Sequence, residues 1–226
     1  GYDRKLIQRI LLVGFTPFII IAVDNVMIIS MNSVLQTYGG PGEGDMLITC
    51  ATIVQSFMLV ITMPLGGITG GTQTILAFNY GAGQPDRVKK AQRFIFFLSA
   101  GYTTILFILA QTAGHIFVRL FTSDPALIAE AAKTIKIYTL AVIPLSIQYV
   151  IVDGFTGLGK VQLSLPLSFF RKLVYFLPLF LLPRFFGARA TFYAEPISDI
   201  IAPVVSIFIY AVAMKRILKK PVIPNF

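Results

Sequence analysis

Long apolar stretches separated by short polar breaks organise the whole chain, and no alternating pattern of period two competes with them. Six such stretches fall at about residues 6–36, 46–80, 88–114, 125–155, 161–182 and 190–215. Each reaches or exceeds the roughly 20 residues that carry a helix across a bilayer. The spacing therefore predicts six transmembrane helices, because a helix satisfies its own backbone groups where lipid offers no hydrogen bonds. The first, second and fourth are longer than a bilayer requires, so they are expected to tilt, bend or project from it. Pro64, followed by Gly66, Gly67, Gly70 and Gly71, predicts a kink in the second.

Composition agrees with the pattern. Of the 226 residues, 56% are hydrophobic and 13% charged, against about 25% charged in soluble domains, and mean hydropathy is +0.79. A water-soluble chain of this size would need more polar sequence to cover its core. Charge then sets orientation: with both ends in the cytoplasm, twelve of the nineteen Lys and Arg residues fall on cytoplasmic edges, among them Arg4, Lys5, Arg9, Arg87, Lys160, Lys219 and Lys220. Five, including Lys133, Arg184 and Arg189, fall outside, and Arg171 and Lys172 lie within the fifth stretch. The net charge of +9 is scattered over helix ends and forms no continuous basic face, which argues against nucleic acid. One cysteine, Cys50, and one histidine, His115, build neither a disulfide framework nor a Cys/His metal site. No phosphate-binding glycine loop is present, so transport would draw on an ion gradient and no cofactor is expected. The start at Gly1, without a signal peptide, reads as a processed or excised piece.

Polar residues inside the apolar stretches are the candidate chemistry. Asp24 and Asn25 interrupt PFIIIAVDNVMIIS. If lipid begins near Leu11, Asp24 lies thirteen residues, or roughly 20 Å, along the helix, in the outer half of the membrane. A carboxylate at that depth costs several kcal/mol against lipid, so it should face a cavity or a partner. Asn25, Asn32 and Ser33 add neutral oxygens nearby; packing by a protonated Asp24 is the alternative. Glu195 and Asp199 are four apart and share one face of the last helix, where together they would hold a proton or a cation; the alternative is that Glu195 is solvated at the helix mouth and only the deeper Asp199 matters. Asp153 and Arg171 lie about 10 Å and about 15 Å inside the cytoplasmic edge by helical rise and read as a structural ion pair across a short hairpin, with a coupling site as the alternative. A substrate pocket is expected from Asn25, Met31, Gln55, Met58, Gln148 and Tyr149, with Met27, Met63 and Phe57 near them, as adaptable surfaces for bulky cations. Ordinary packing is the competing use of those methionines.

Four motifs carry a resemblance. The stretch ATFYAEPISDIIAPVVSIFIY, residues 190–210, resembles the final helix of multidrug and toxic compound extrusion (MATE) transporters. GGTQTILAFNYGAGQPDRVKKA resembles the end of that family's eighth helix and the loop after it, LFTSDPALI the outer loop before its tenth, and PLSIQYVIVDGFTGLGK with SLPLSFFRK its tenth-to-eleventh hairpin. The resemblance implies an all-α fold in which the chain, residues 1–226, is the C-terminal six-helix lobe of a twelve-helix transporter. It also implies a missing N-terminal lobe as partner, in a cell membrane, with the bacterial inner membrane expected. Asp24 falls in the seventh helix, where several members carry an acidic residue implicated in cation coupling. Na⁺-coupled members tend to have an aspartate after the tenth-helix proline, where this chain has Leu145 after Pro144, so H⁺ and Na⁺ both stay open as coupling ion.

The implied activity is antiport: export of organic cations or amphiphilic drugs in exchange for H⁺ or Na⁺ by alternating access, with Asp24, Glu195 and Asp199 coupling the cation. Two other readings are kept. One is a non-transporting half-module that assembles with or regulates a partner; the other is a flippase for lipid-linked precursors from the same superfamily. No enzyme activity is expected.

Overall fold

The computed structural model describes residues 4–218 and, apart from Ile7, the side chains from Ile21 onward. The side chains of Arg4, Lys5 and Arg9, and residues Lys219 and Lys220, used above for orientation, lie outside the described residues. The described residues form helices α1 (Arg4–Gly39), α2 (Glu43–Gly71), α3 (Gln73–Gly81), α4 (Pro85–Val118), α5 (Pro125–Tyr138), α6 (Val142–Gly157), α7 (Val161–Phe186) and α8 (Ala194–Ile217), with a 3₁₀ segment, Ala188–Tyr193, leading into α8. The protein is an all-helical membrane protein: among the described residues, four helical spans meet length and apolarity for crossing a bilayer, and five when the bent pair α5–α6 counts as one. Many of the large apolar side chains, such as Phe78, Phe94, Leu177 and Phe208, point outward, as a lipid solvent allows.

Local chemistry explains where the helices start and bend. Asp124 caps α5 by accepting from the Ala126 amide at 2.9 Å, with Pro125 in the first turn, where its missing N–H costs nothing. The fourth apolar stretch is not one straight helix. It bends by 49° between α5 and α6, where Pro144 withdraws the amide that would bond to the Leu140 carbonyl. The second stretch breaks at Thr72, directly after Gly70 and Gly71; α2 runs on through Pro64, so the break lies at the last of the expected glycines, about two turns beyond the proline. α7 likewise continues through Pro166, Pro178 and Pro183.

Two apolar clusters lie along the bundle. One joins α1, α2, α5 and α7 around Met31, Leu35, Ile61, Ile135 and Leu179; the other joins α3, α4 and α6 around Leu76, Ile95 and Phe155. Gln148 falls between Leu145 of the first and Val150 of the second. The α1–α2 turn is closed by glycine: Gly40 and Gly42 have positive φ, and a Cβ on Gly39 would sit 2.8 Å from the Gly44 backbone. Backbone cannot yield as a flexible side chain does. Gly39→Ala is expected to destabilise the chain by about 1–3 kcal/mol, read as a lower thermal midpoint in detergent; an unchanged midpoint would contradict this close approach.

Candidate functional site

Consecutive residues on a helix point about 100° apart. α7 uses this to present two neighbouring cations to two different helices. Arg171 turns towards α8 and Lys172 towards α1, where they meet three carboxylates.

On the α8 side, Arg171 Nη1 donates to Glu195 Oε1 at 3.2 Å and to Asp199 Oδ1 at 3.1 Å. The i,i+4 spacing places both carboxylates on one face, as the sequence indicates. Glu195 lies in the first turn of α8, where the positive end of the helix favours a carboxylate. The Tyr138 hydroxyl, at the end of α5, donates to Glu195 Oε2 at 3.4 Å. Asp199 is wholly buried, and its Oδ2 has no hydrogen-bond partner among the described residues. One guanidinium thus faces two carboxylates, one charge short of neutrality when both are ionised. A proton or a small cation is what this arrangement can accept.

On the α1 side, Lys172 Nζ donates to Asp24 Oδ1 at 2.5 Å. Only 5% of the Lys172 side chain is exposed, against 46% of Asp24. The carboxylate therefore stands at an open face with the ammonium behind it. Lys172 also has a further interaction. Asn25, exposed beside Asp24, donates its amide to the Ile21 carbonyl at 2.9 Å. Asn32 Oδ1 is buried without a partner among the described residues.

The expected Asp153–Arg171 pair is not formed. Gln148 Nε2 reaches the Leu167 carbonyl at 3.2 Å, so these positions lie opposite each other across the α6–α7 hairpin. Counting antiparallel from there, Asp153 lies opposite Gln162, nine residues or about 13 Å along α7 from Arg171. Asp153 instead accepts from Thr69 Oγ1 at 2.5 Å and from Gln73 Nε2 at 3.1 Å, joining α6 to both sides of the α2–α3 break.

Half of the expected substrate pocket proves to be interior packing. Met31 is 1% exposed, and Met58 joins the same apolar cluster. Gln148 is buried, with Ser206 donating to its Oε1, so it is a structural polar contact between α6 and α8. Asn25, Gln55 and Tyr149 keep access from outside, Gln55 and Tyr149 being half-buried. Sequence reading missed Lys172 as a participant, although a lysine within an apolar stretch needs an acidic partner and Asp24 needs a cation.

Comparison with known proteins gives the family. The MatE family model matches residues 21–182, well over half of the chain. The chain is 21% identical over 206 residues to the multidrug export protein MepA of Staphylococcus haemolyticus, covering 91% of this chain and 44% of that protein. It is 25% identical over 151 residues to the FAD transporter of Shewanella oneidensis, covering 66% of this chain and 33% of that one. The fold matches an inward-facing and an outward-facing structure of a multidrug resistance MATE family transporter, with TM-scores of 0.84 and 0.85 at 16% identity, covering 97% of this chain and 50% and 49% of theirs. A transporter of the same superfamily from Pyrococcus furiosus matches with a TM-score of 0.84 at 17% identity, over 97% of this chain and 49% of that one. The chain spans half or less of the length of these proteins. With the family model matched across α1 to α7, including both partners of the Asp24–Lys172 pair, the chain belongs to the MatE family.

Proposed function

We propose that this chain is the C-terminal lobe of a cation-coupled multidrug antiporter, which exports organic cations or amphiphilic drugs by alternating access against H⁺ or Na⁺. One observation carries the reading: the buried Arg171–Glu195–Asp199 group, one positive charge short and with one oxygen of Asp199 unpartnered. Charged groups within a membrane are costly and are kept where they bind or move an ion. The coupling ion meets Glu195 and Asp199 there. Asp24, on the open face, meets the exported cation or the coupling ion, with Asn25, Gln55 and Tyr149 as accessible neighbours.

The near-equal match to inward- and outward-facing structures supports a lobe that keeps its shape while a second lobe rocks against it. That second, N-terminal six-helix lobe is the partner, and the bacterial relatives support a bacterial inner membrane as location. The excess of carboxylate over cation in the site favours cationic cargo, as opposed to an anionic one such as FAD.

The test is ethidium export from membrane vesicles that hold the chain in its native assembly, driven by imposed H⁺ or Na⁺ gradients. Export that follows one gradient and stops when it collapses is expected. Export indifferent to both gradients would overturn the reading. The chain reconstituted without a second lobe is expected to export nothing, since its open face would meet lipid.

A further inference from the structure

α7 meets the membrane unevenly along its length. After Val161 at its start, the large apolar side chains that it exposes among the described residues begin again only at Leu173, which is 67% exposed, and continue to its far end. From Leu173 a groove of about 410 Å³ runs along the helix, lined by Leu173, Phe176, Leu177, Phe180, Leu181 and Arg184. The rings of Phe176 and Phe180 stack at an interplanar angle of 9°, with centroids 6.1 Å apart, and give it a flat wall. Leu173 and Arg184 are eleven residues apart, about 16 Å along the axis, and half of a roughly 30 Å hydrocarbon core is about 15 Å. The groove is as long as one leaflet is deep.

Its water end carries a charge. Arg184 is the one charged side chain lining the groove among the described residues; it is exposed, lies in the last turn of α7, and has no ion-pair partner among those residues. The neighbouring basic groups are engaged: Arg171 by Glu195 and Asp199, Lys172 by Asp24, and Arg189 of the 3₁₀ segment by Glu130 at 2.7 Å and Glu43 at 3.4 Å. An apolar channel of leaflet length with a planar cation at its water end complements a phospholipid in shape and charge. The acyl chain takes the groove, and the phosphate offers its oxygens to the guanidinium fork.

We propose that α7 holds one anionic phospholipid in the leaflet around its C-terminal end, the outer leaflet by the distribution of Lys and Arg, with an acyl chain in the groove and the phosphate on Arg184. With no carboxylate among the lining residues to offset the guanidinium, a net negative headgroup is favoured over a zwitterionic one. A partner's transmembrane helix is the poorer fit, because it crosses both leaflets, whereas the exposed apolar stripe of α7 covers one. The site shares no residue with the Arg171–Glu195–Asp199 group, so it stands or falls apart from the antiport reading.

The experiment uses the chain purified with whatever it assembles with in its native membrane, stripped of loosely held lipid in mild detergent and titrated with phosphatidylglycerol or with phosphatidylcholine, the bound lipids being counted by native mass spectrometry. The wild type is expected to hold phosphatidylglycerol at one site per chain more tightly than phosphatidylcholine. Arg184→Gln is expected to weaken that site for phosphatidylglycerol about fivefold, the worth of one basic residue at a lipid surface, and to abolish the preference. Leu177→Trp, which fills the groove, is expected to remove the site for both lipids. Leu109→Trp, on the exposed face of α4, is expected to change neither and controls for a bulky side chain set against lipid. Equal phosphatidylglycerol binding by the wild type and Arg184→Gln would overturn the proposal. So would equal losses in Leu109→Trp and Leu177→Trp, which would reduce the site to general lipid contact. A copurified polypeptide, displaced by Leu177→Trp in place of a lipid, would make the groove a protein interface and overturn it as well.

Discussion

Replacing Arg171 by methionine is expected to remove the folded protein from the membrane almost completely. The substitution keeps much of the length and loses the charge, leaving Glu195 and the wholly buried Asp199 without a counter-ion. Stranding a buried charge costs about 3–5 kcal/mol, a large part of the about 5–15 kcal/mol that holds a typical protein folded. The cause can be isolated by rescue. Adding Glu195→Gln and Asp199→Asn to Arg171→Met makes the cluster neutral, and expression should return towards the wild-type level, although coupled export should not. A triple variant no more abundant than the single one would mean that the guanidinium matters for its shape and contacts, with its charge secondary. Arg171→Lys should recover only part of the loss, because an ammonium lacks the planar fork that lets one residue serve two carboxylates.

Asp24→Asn is the second large effect, and its burial pattern makes it directional. The variant takes the Asp24 charge from the buried Lys172, whereas Lys172→Met takes the ammonium from the half-exposed Asp24. Asp24→Asn should therefore cost about 3–5 kcal/mol when the ammonium stays charged, and Lys172→Met clearly less. Thermal unfolding of both single variants and the Asp24→Asn, Lys172→Met double variant checks this. Equal losses in the two single variants would contradict the account of which partner is buried.

The sequence made some of this visible and hid the rest for physical reasons. Apolar length was enough for an all-helical membrane fold, and the i,i+4 spacing of Glu195 and Asp199 was enough to put them on one face, because both follow from one helix alone. Asp24 stood out for the same reason. Its partner did not, because which way Arg171 and Lys172 point depends on where α1 and α8 pack against α7. The Asp153–Arg171 expectation used depth along two helices and ignored register, which the contact of Gln148 with Leu167 sets differently. Met31 and Met58 were misplaced for another reason. In a membrane protein the lipid face, the packed interior and an apolar cleft all favour the same residues, so periodicity does not separate them. The bend at Pro144 and the unbroken passage through Pro64 show the same limit, since neighbouring helices decide whether a proline breaks a span.

The central claim is that the buried carboxylates beside Arg171 couple transport to an ion. Its most direct measurement is gradient-driven ethidium export by Asp199→Asn and wild type, at matched protein levels, in vesicles containing the native assembly. The substitution removes the excess negative charge and leaves Arg171 paired with Glu195. The account predicts a variant that accumulates normally, still binds ethidium at Asp24, and no longer exports it in response to a gradient. Export by Asp199→Asn at the wild-type rate and with the wild-type gradient dependence would contradict it.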